Sequence, residues 1–154
     1  MTVTKRHFTW CVLLIAVALV APTMAQDKPG PITDAKESDL ISILQSAAPK
    51  AEKAIACKLL AIYGTEEAVP ALAPLLADKE LASWARTALE VIPGPAVDTA
   101  MRDAMGKLQD RLLIGTINSI GVRRDSGAVD GLVAKLGAAD ADVASAAAVA
   151  LGHI

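Results

Sequence analysis

Cys57 is the residue best placed for covalent chemistry, because the other cysteine of the chain, Cys11, lies in an apolar N-terminal segment. A thiol serves as a nucleophile or as a chromophore attachment point only when a nearby base or cation lowers its pKa. Lys53 and Lys58 are close in sequence, whereas His153 lies far along the chain. The alternative is that Cys57 is a small apolar residue on the inward face of a helix. The sequence favours this structural role, because no base accompanies the thiol.

Metal and cofactor chemistry has few candidates. One cysteine and one histidine beyond residue 25 cannot complete a tetrahedral metal site, so we expect no metal and no cofactor. His153 is expected in the last turn of the last helix, where a cation suits the helix dipole. Glu66 and Glu67 fall at a turn and are expected to be solvated. Helix capping explains three aspartates at predicted helix starts more simply than catalysis does: Asp78, Asp140 and Asp142.

Arginines form the most suggestive polar set. Five of them are candidate partner-binding residues: Arg86, Arg102, Arg111, Arg123 and Arg124. If helices stack in regular layers, one edge of each layer contributes to a continuous surface, where guanidinium groups could bind the carboxylates of a protein partner. The alternative is internal pairing, for example of Arg102 with Asp98 or of Arg124 with Asp125. No catalytic residue is expected.

Charge and aromatic content argue against nucleic-acid binding. The 154 residues include 15 Lys and Arg against 17 Asp and Glu, a net charge of −2, so a basic footprint is missing. Two Trp, one Tyr and one Phe are too few for base-stacking platforms. We therefore expect no nucleic-acid partner.

Residues 1–25 have the pattern of a secretory signal peptide. A short basic stretch (5–7) precedes an apolar stretch (8–21) that is shorter than the roughly 20 residues of a membrane span. Thr23 and Ala25 are small residues at the −3 and −1 positions of a cleavage site, so cleavage is expected after Ala25. The alternative is an uncleaved anchor. Residues 26–35, with two prolines and a glycine, predict a linker. The chain is thus expected to be exported, periplasmic or extracellular, with no membrane association after cleavage.

From residue 36 onward, apolar residues recur at helical spacing without strand alternation, which predicts an all-α domain over 36–154. Gly64 and Pro93 are expected to end helices, and the sixth helix is expected to end near Gly121. Eight helices are predicted, with inward faces marked by residues that include the following: Leu40 and Leu44; Ile55, Leu59, Leu60 and Ile62; Leu72 and Leu76; Ala85 and Leu89; Val97 and Met101; Ile117 and Ile120; Leu132 and Leu136; Ala147 and Ile154.

The helical region contains an internal repeat. AVPALAPLL (68–76) aligns with AVDGLVAKL (128–136) at an offset of 60 residues, and LASWARTALEVI (81–92) aligns with VASAAAVALGHI (143–154) at 62. Ala96 begins an intervening unit 28 residues after position 68. Each unit therefore has about 30 residues and two helices. One such pair cannot bury its own apolar stripe, so neighbouring pairs are expected to stack.

These segments resemble HEAT repeats of the short bacterial kind, also called HEAT-like or phycobilisome-lyase-type repeats, over residues 37–154. The third unit departs from the pattern at Asp98, where the proline is missing, and at Asn118 and Ser119. The resemblance implies an α-solenoid of about four stacked helical hairpins, an armadillo-like superhelix. It is carried by five residues that match the signature Gly-x3-Ala-Val-Pro-x-Leu: Gly64, Ala68, Val69, Pro70 and Leu72. The stretches around Arg102, Arg111 and 123–125 also resemble secreted bacterial HEAT-repeat proteins of unknown role.

The expected function is a non-catalytic scaffold that binds a protein partner in the exported compartment. One alternative is a lyase-like or chromophore-attachment enzyme, suggested by the family name and Cys57. Another is an accessory module of a larger secreted enzyme. The alanine-rich last helix, which ends at Ile154, predicts an uncovered outer face. We expect the domain to be truncated at this end, as part of a longer array with further repeats. The alternatives are end-to-end stacking, a partner that covers the face, or a last helix that frays.

Overall fold

The structure is a computed structural model that describes residues 36–154; the predicted signal peptide (1–25) and linker (26–35) lie outside the described residues. The described region is all-helical and contains no strand, which confirms the predicted class and the number of eight α-helices. These are α1 (Glu37–Gln45), α2 (Lys50–Tyr63), α3 (Val69–Leu72), α4 (Ala82–Val91), α5 (Pro95–Met105), α6 (Asp110–Arg123), α7 (Val129–Lys135) and α8 (Ala141–His153). Three short 3-10 helices accompany them: Glu66–Ala68, Ala73–Ala77 and Ser126–Ala128.

Predicted capping residues set several helix boundaries. Gly64 ends α2, as expected. Asp140 precedes α8, and its Oδ1 accepts hydrogen bonds from the N–H groups of Asp142 (2.8 Å) and Val143 (3.4 Å). In the turn before α4, Asp78 Oδ1 accepts hydrogen bonds from the N–H groups of Glu80 (2.8 Å) and Leu81 (3.2 Å). Side-chain acceptors at helix starts satisfy N–H groups that have no partner within the helix.

The third predicted helix is not continuous, which corrects the expectation from periodicity alone. Only Val69–Leu72 is α-helical, and it is flanked by the two 3-10 segments Glu66–Ala68 and Ala73–Ala77. Pro70 and Pro74 explain the break. A proline lacks the N–H that an α-helix needs at each interior position, and its ring clashes with the preceding turn, so the tighter 3-10 geometry replaces it.

The sixth helix was predicted to end near Gly121, and α6 ends two residues later, at Arg123. Arg124 follows in the left-handed region with φ 55°. Gly121 is buried in the helix interior, where a Cβ would lie 2.9 Å from Ala150 Cα on α8. Its glycine therefore serves the close approach of two helices instead of a helix end.

The prediction for the inward face of α2 is right in part: Cys57 and Leu60 are buried as expected, but two other marking residues are exposed. Ile55 and Ile62 are 45% and 63% exposed, whereas Ala56, Cys57 and Leu60 are fully buried. Because α2 is apolar around most of its circumference, periodicity does not select a face, and packing against α1 and α4 does. The burial of small residues at 56 and 57 is what allows those neighbours to approach.

The helices pack in pairs and in rows. α1 contacts α2, α5 contacts α6, and α7 contacts α8, while α2, α4, α6 and α8 each contact the next member of that row. Every helix buries at least one apolar side chain completely: Leu40, Leu60, Leu72, Leu89, Met101, Ile117, Leu132 and Ala147. Burial of each large apolar side chain contributes about 1.5–3 kcal/mol.

Two residues expected to face inward near the last pair are exposed instead. Leu136 is 44% exposed and Ile154 is 38% exposed, whereas Leu76 and Ile92 at the matching repeat positions are each 1% exposed. Within the described residues, α8 contacts chiefly α6 and α7, and α7 contacts chiefly α8. At these two repeat positions the predicted inward orientation is therefore correct for the pair of α3 and α4 and wrong for the pair of α7 and α8.

Candidate functional site

The five arginines separate into two structural groups, and Arg123 belongs to the internal one. Its side chain is 9% exposed, and Nε donates to Asp98 Oδ1 at 2.6 Å. Nη1 donates to the carbonyl oxygens of Leu89 (2.8 Å) and Ile92 (2.7 Å), which belong to the end of α4. Arg123 of α6 thus caps α4 and pairs with α5 at once. Its role is to hold three helices together.

Arg102 is also paired internally. Nη1 donates to both carboxylate oxygens of Asp125 at 2.7 Å, and Asp125 is 8% exposed. Asp125 Oδ1 additionally accepts the N–H of Gly127 and so begins the 3-10 segment before α7. The internal pairing considered from sequence therefore exists, but with other partners: Arg102 binds Asp125, and Arg123 binds Asp98.

Arg124 and Arg111 are exposed. Arg124 follows α6 in a left-handed conformation and makes no salt bridge within residues 36–154. Arg111 lies in the first turn of α6 and lines two cavities. The five residues therefore do not form one continuous edge.

Arg86 lies in a groove between α4 and α6, beside Arg111. The cavity there has a volume of about 600 Å³, and its lining includes Lys79, Ser83, Arg86, Asp110 and Arg111. Burial lowers the pKa of the Arg86 guanidinium below its usual value, and the carboxylate of Glu90 opposes that shift. A guanidinium nevertheless stays protonated at neutral pH. The groove therefore holds a permanent, partly desolvated positive charge.

A second cavity of about 600 Å³ lies between α6 and α8. Ile114 and Val149 give it apolar walls, and Asn118 and Ser145 give it polar ones. Arg111 lines this cavity as well as the first. The two grooves therefore adjoin along α6.

A third cavity, of about 460 Å³, lies where α2 is followed by the turn that starts at Thr65. Glu66, expected to be solvated, makes a specific contact there: its Oε1 accepts the N–H of Ala96 at 2.9 Å and so caps α5. Glu37 has the equivalent role in the preceding helix pair, where it accepts the N–H of Thr65 at 2.6 Å. The two contacts join residues 28 and 30 positions apart, close to the spacing of the sequence repeat.

Most exposed large apolar residues of the described region follow the row of α2, α4, α6 and α8. These six are 44–63% exposed: Ile55, Ile62, Trp84, Val91, Val122 and Val149. Scattered exposed apolar residues are normal on a protein surface. Here the exposed apolar residues are concentrated on the row of helices that also holds both grooves, and this concentration points to a contact surface.

Cys57 is fully buried on α2, and burial raises the pKa of its thiol to about 11 because a desolvated thiolate is unfavourable. A buried thiol with a raised pKa is a poor nucleophile. His153 is exposed in the last turn of α8, as expected from its position. No group of three or more His, Cys, Asp or Glu side chains within residues 36–154 is placed to hold a metal ion.

The raised pKa of Cys57 has a consequence for stability at alkaline pH. Below its ordinary value of 9.0 the thiol is protonated in both the folded and unfolded states; between pH 9.0 and about 11 only the unfolded thiol ionises. The free energy of unfolding should therefore fall in that window by about 1.4 kcal/mol per pH unit from this group alone. Urea unfolding under reducing conditions at several alkaline pH values measures it. The Cys57→Ala variant is the control, and an equal slope in both proteins would contradict the prediction.

No family model and no curated protein matches the chain. Within residues 36–154, no helix has both the length and the apolar character that a membrane crossing requires.

Proposed function

We propose that this chain is an exported α-solenoid of HEAT-like repeats that binds a protein partner and has no catalytic chemistry of its own. The observation that carries the proposal is the row of α2, α4, α6 and α8, in which each helix packs on the next and the outer surface keeps its apolar residues exposed. A surface of this kind, continuous across stacked units, suits an extended protein contact.

The repeat geometry supports the solenoid. The 3-10 segments that begin the second and fourth pairs are capped in the same way, by Thr65 Oγ1 and by Asp125 Oδ1, two residues 60 positions apart. Asp78 and Asp140, 62 positions apart, each accept the N–H groups two and three residues on, Asp140 as the N-cap of α8 and Asp78 in the turn before α4. These offsets equal those of the sequence repeat.

Contacts between pairs have the short range that stacking requires. The long-range side-chain hydrogen bonds of the described region join residues 23 to 34 positions apart, about one repeat. Lys50 follows the same rule, with salt bridges to Asp78 (3.2 Å) and Glu80 (3.0 Å). In a solenoid each unit contacts mainly its neighbours.

The chemistry around Cys57 supports a binding role over the lyase-like alternative. A thiol that is fully buried and titrates near 11 has neither access to a substrate nor a thiolate at neutral pH. The retained surface features, exposed apolar side chains and arginines, are those of interaction sites.

The test compares capture of partners by three forms of the full chain. The first is wild type; the second replaces exposed residues of the proposed surface (Trp84→Ser, Val91→Ser, Val122→Ser); the third is a matched control on the α7 side (Val133→Ser, Leu136→Ser). All five residues are exposed, so the fold should be preserved. We expect wild type and control to capture the same proteins from the exported fraction, and the triple variant to lose them. Identical capture by all three forms, or capture of small molecules alone, would refute the proposal.

A further inference from the structure

Arg86 is a partly buried cation that makes no salt bridge within residues 36–154. The structure shows no side-chain hydrogen bond for its guanidinium in this described region either. Glu90, four residues along α4, is the expected partner, but its Oε1 accepts the hydroxyl of Ser119 on α6 at 2.6 Å. No buried polar atom is left unsatisfied in the described region, so the unbonded nitrogens of Arg86 reach solvent in the groove.

The Arg86 guanidinium lies against the backbone of Gly115 on α6. A Cβ on Gly115 of α6 would lie 2.5 Å from Arg86 Cζ and 2.7 Å from Nη1, so the planar group rests directly on the glycine. Any other residue at 115 would displace it. Gly115 sits in the middle of α6, where glycine weakens a helix. The space it leaves is used by Arg86.

The charges around the groove favour an anionic ligand. Three cationic side chains line it, Lys79, Arg86 and Arg111, against one carboxylate, Asp110. The whole chain has the opposite sign of net charge, −2. The local excess of positive charge is therefore a property of this groove.

The adjoining groove between α6 and α8 differs in character. Ile114 and Val149 line it, and Arg111 stands at the junction of the two. Packed helices lie about 8–10 Å apart, and a peptide in the extended polyproline II conformation has three residues per turn and advances about 3.1 Å per residue. Two of its side chains that are three residues apart point the same way, about 9 Å apart, and would enter the two grooves when the peptide crosses α6.

We infer that Arg86, resting on Gly115, binds a carboxylate of an extended acidic segment of a protein partner, whose apolar side chain about three residues away enters the Ile114–Val149 groove. The inference rests on the proposed function and specifies its partner: a peptide with an acidic and an apolar residue at that spacing. The guanidinium supplies paired N–H donors that match a carboxylate.

The test uses the full chain to select binders from a displayed library of random peptides. The affinity of each selected peptide for the chain is then measured by fluorescence anisotropy. Wild type should enrich sequences with an acidic residue about three positions from an apolar one. Replacing that acid by its amide, or introducing Arg86→Gln, should weaken binding about tenfold or more, as expected for a charge-assisted hydrogen bond. Gly115→Ala should weaken binding similarly, because it displaces the Arg86 guanidinium.

Gly115→Ala also distinguishes a binding effect from unfolding. Alanine is a better helix former than glycine, so this variant should melt a few degrees above wild type while binding more weakly. Gly152→Ala is the matched control: nothing lies within 4 Å of its Cβ position, and binding should not change.

Two results would overturn the inference. If the selected peptides lack an acidic residue, or bind Arg86→Gln as tightly as wild type, the site is wrong, although peptide binding would still support the proposed function. If inorganic phosphate alone binds at Arg86 and no peptide is enriched, the groove is a small-anion site. Loss of the proposed function itself would instead show as unchanged capture by the triple surface variant.

Discussion

Replacing Arg123 by alanine is expected to destabilise the fold by about 3 kcal/mol, the range found when one member of a buried, hydrogen-bonded ion pair is removed. The guanidinium is the only group shown to contact Asp98 Oδ1 (2.6 Å) within residues 36–154, and it also satisfies the carbonyl oxygens of Leu89 and Ile92. These carbonyls lie at the end of α4, where no intrahelical N–H is available. The variant leaves a carboxylate and helix-terminal acceptors without partners. Urea unfolding at neutral pH, followed by circular dichroism, measures the loss.

Two further variants show that the effect comes from the bonding pattern of Arg123. Arg123→Lys keeps the charge but cannot reach the carboxylate and the carbonyls together, so it should recover only some of the lost stability. Arg124→Ala changes the neighbouring, exposed arginine and should alter the free energy of unfolding by less than about 0.5 kcal/mol. Equal losses in Arg123→Ala and Arg124→Ala would show that the bonds of Arg123 contribute nothing specific.

The helices could be predicted from sequence because their signals are local. Gly64 ends α2 and Asp140 caps α8 through contacts within a few residues, and the 3.6-residue period marks each segment. The inward face of α2 could be predicted only in part in this way. Ile55 and Ile62 are as apolar as Leu60, and only the positions of α1 and α4 decide which of them is covered.

For the candidate site, the sequence likewise identified the residues but not their partners. Residue type identified all five arginines, since guanidinium groups are the usual partners of carboxylates. Their roles depend on residues about one repeat away: Asp98 for Arg123, Asp125 for Arg102 and Gly115 for Arg86. The four-residue spacing on α5 suggests that Arg102 pairs with Asp98. In the structure Arg102 binds Asp125 instead, and Asp98 binds Arg123 of α6. Glu37 and Glu66 were missed for the same reason, although their spacing of 29 residues, close to the repeat length, is a signal that could have found them.

Gly121 and Gly115 lie on the same helix, six positions apart, and the same substitution should act on them in opposite directions. At Gly121 a Cβ would stand 2.9 Å from Ala150 Cα and 3.1 Å from its Cβ, so α6 and α8 would have to separate. Backbone atoms cannot rotate aside as the Arg86 side chain can. Gly121→Ala should therefore destabilise the fold by about 1 kcal/mol despite the gain in helix propensity, and Gly121→Leu by about 3 kcal/mol or more.

Chemical denaturation of Gly121→Leu, Gly121→Ala and Gly115→Ala tests this difference within one helix. Stabilisation by Gly121→Ala equal to that by Gly115→Ala would mean that α6 and α8 are not in close contact in solution. Because α8 meets the other described helices mainly through α6 and α7, this interface positions the wall of the second groove that carries Val149. A destabilised Gly121→Leu protein should accordingly lose the α6–α8 groove before the α4–α6 groove. Hydrogen exchange of α8 amides, faster than that of α4 amides in this variant, is the expected result.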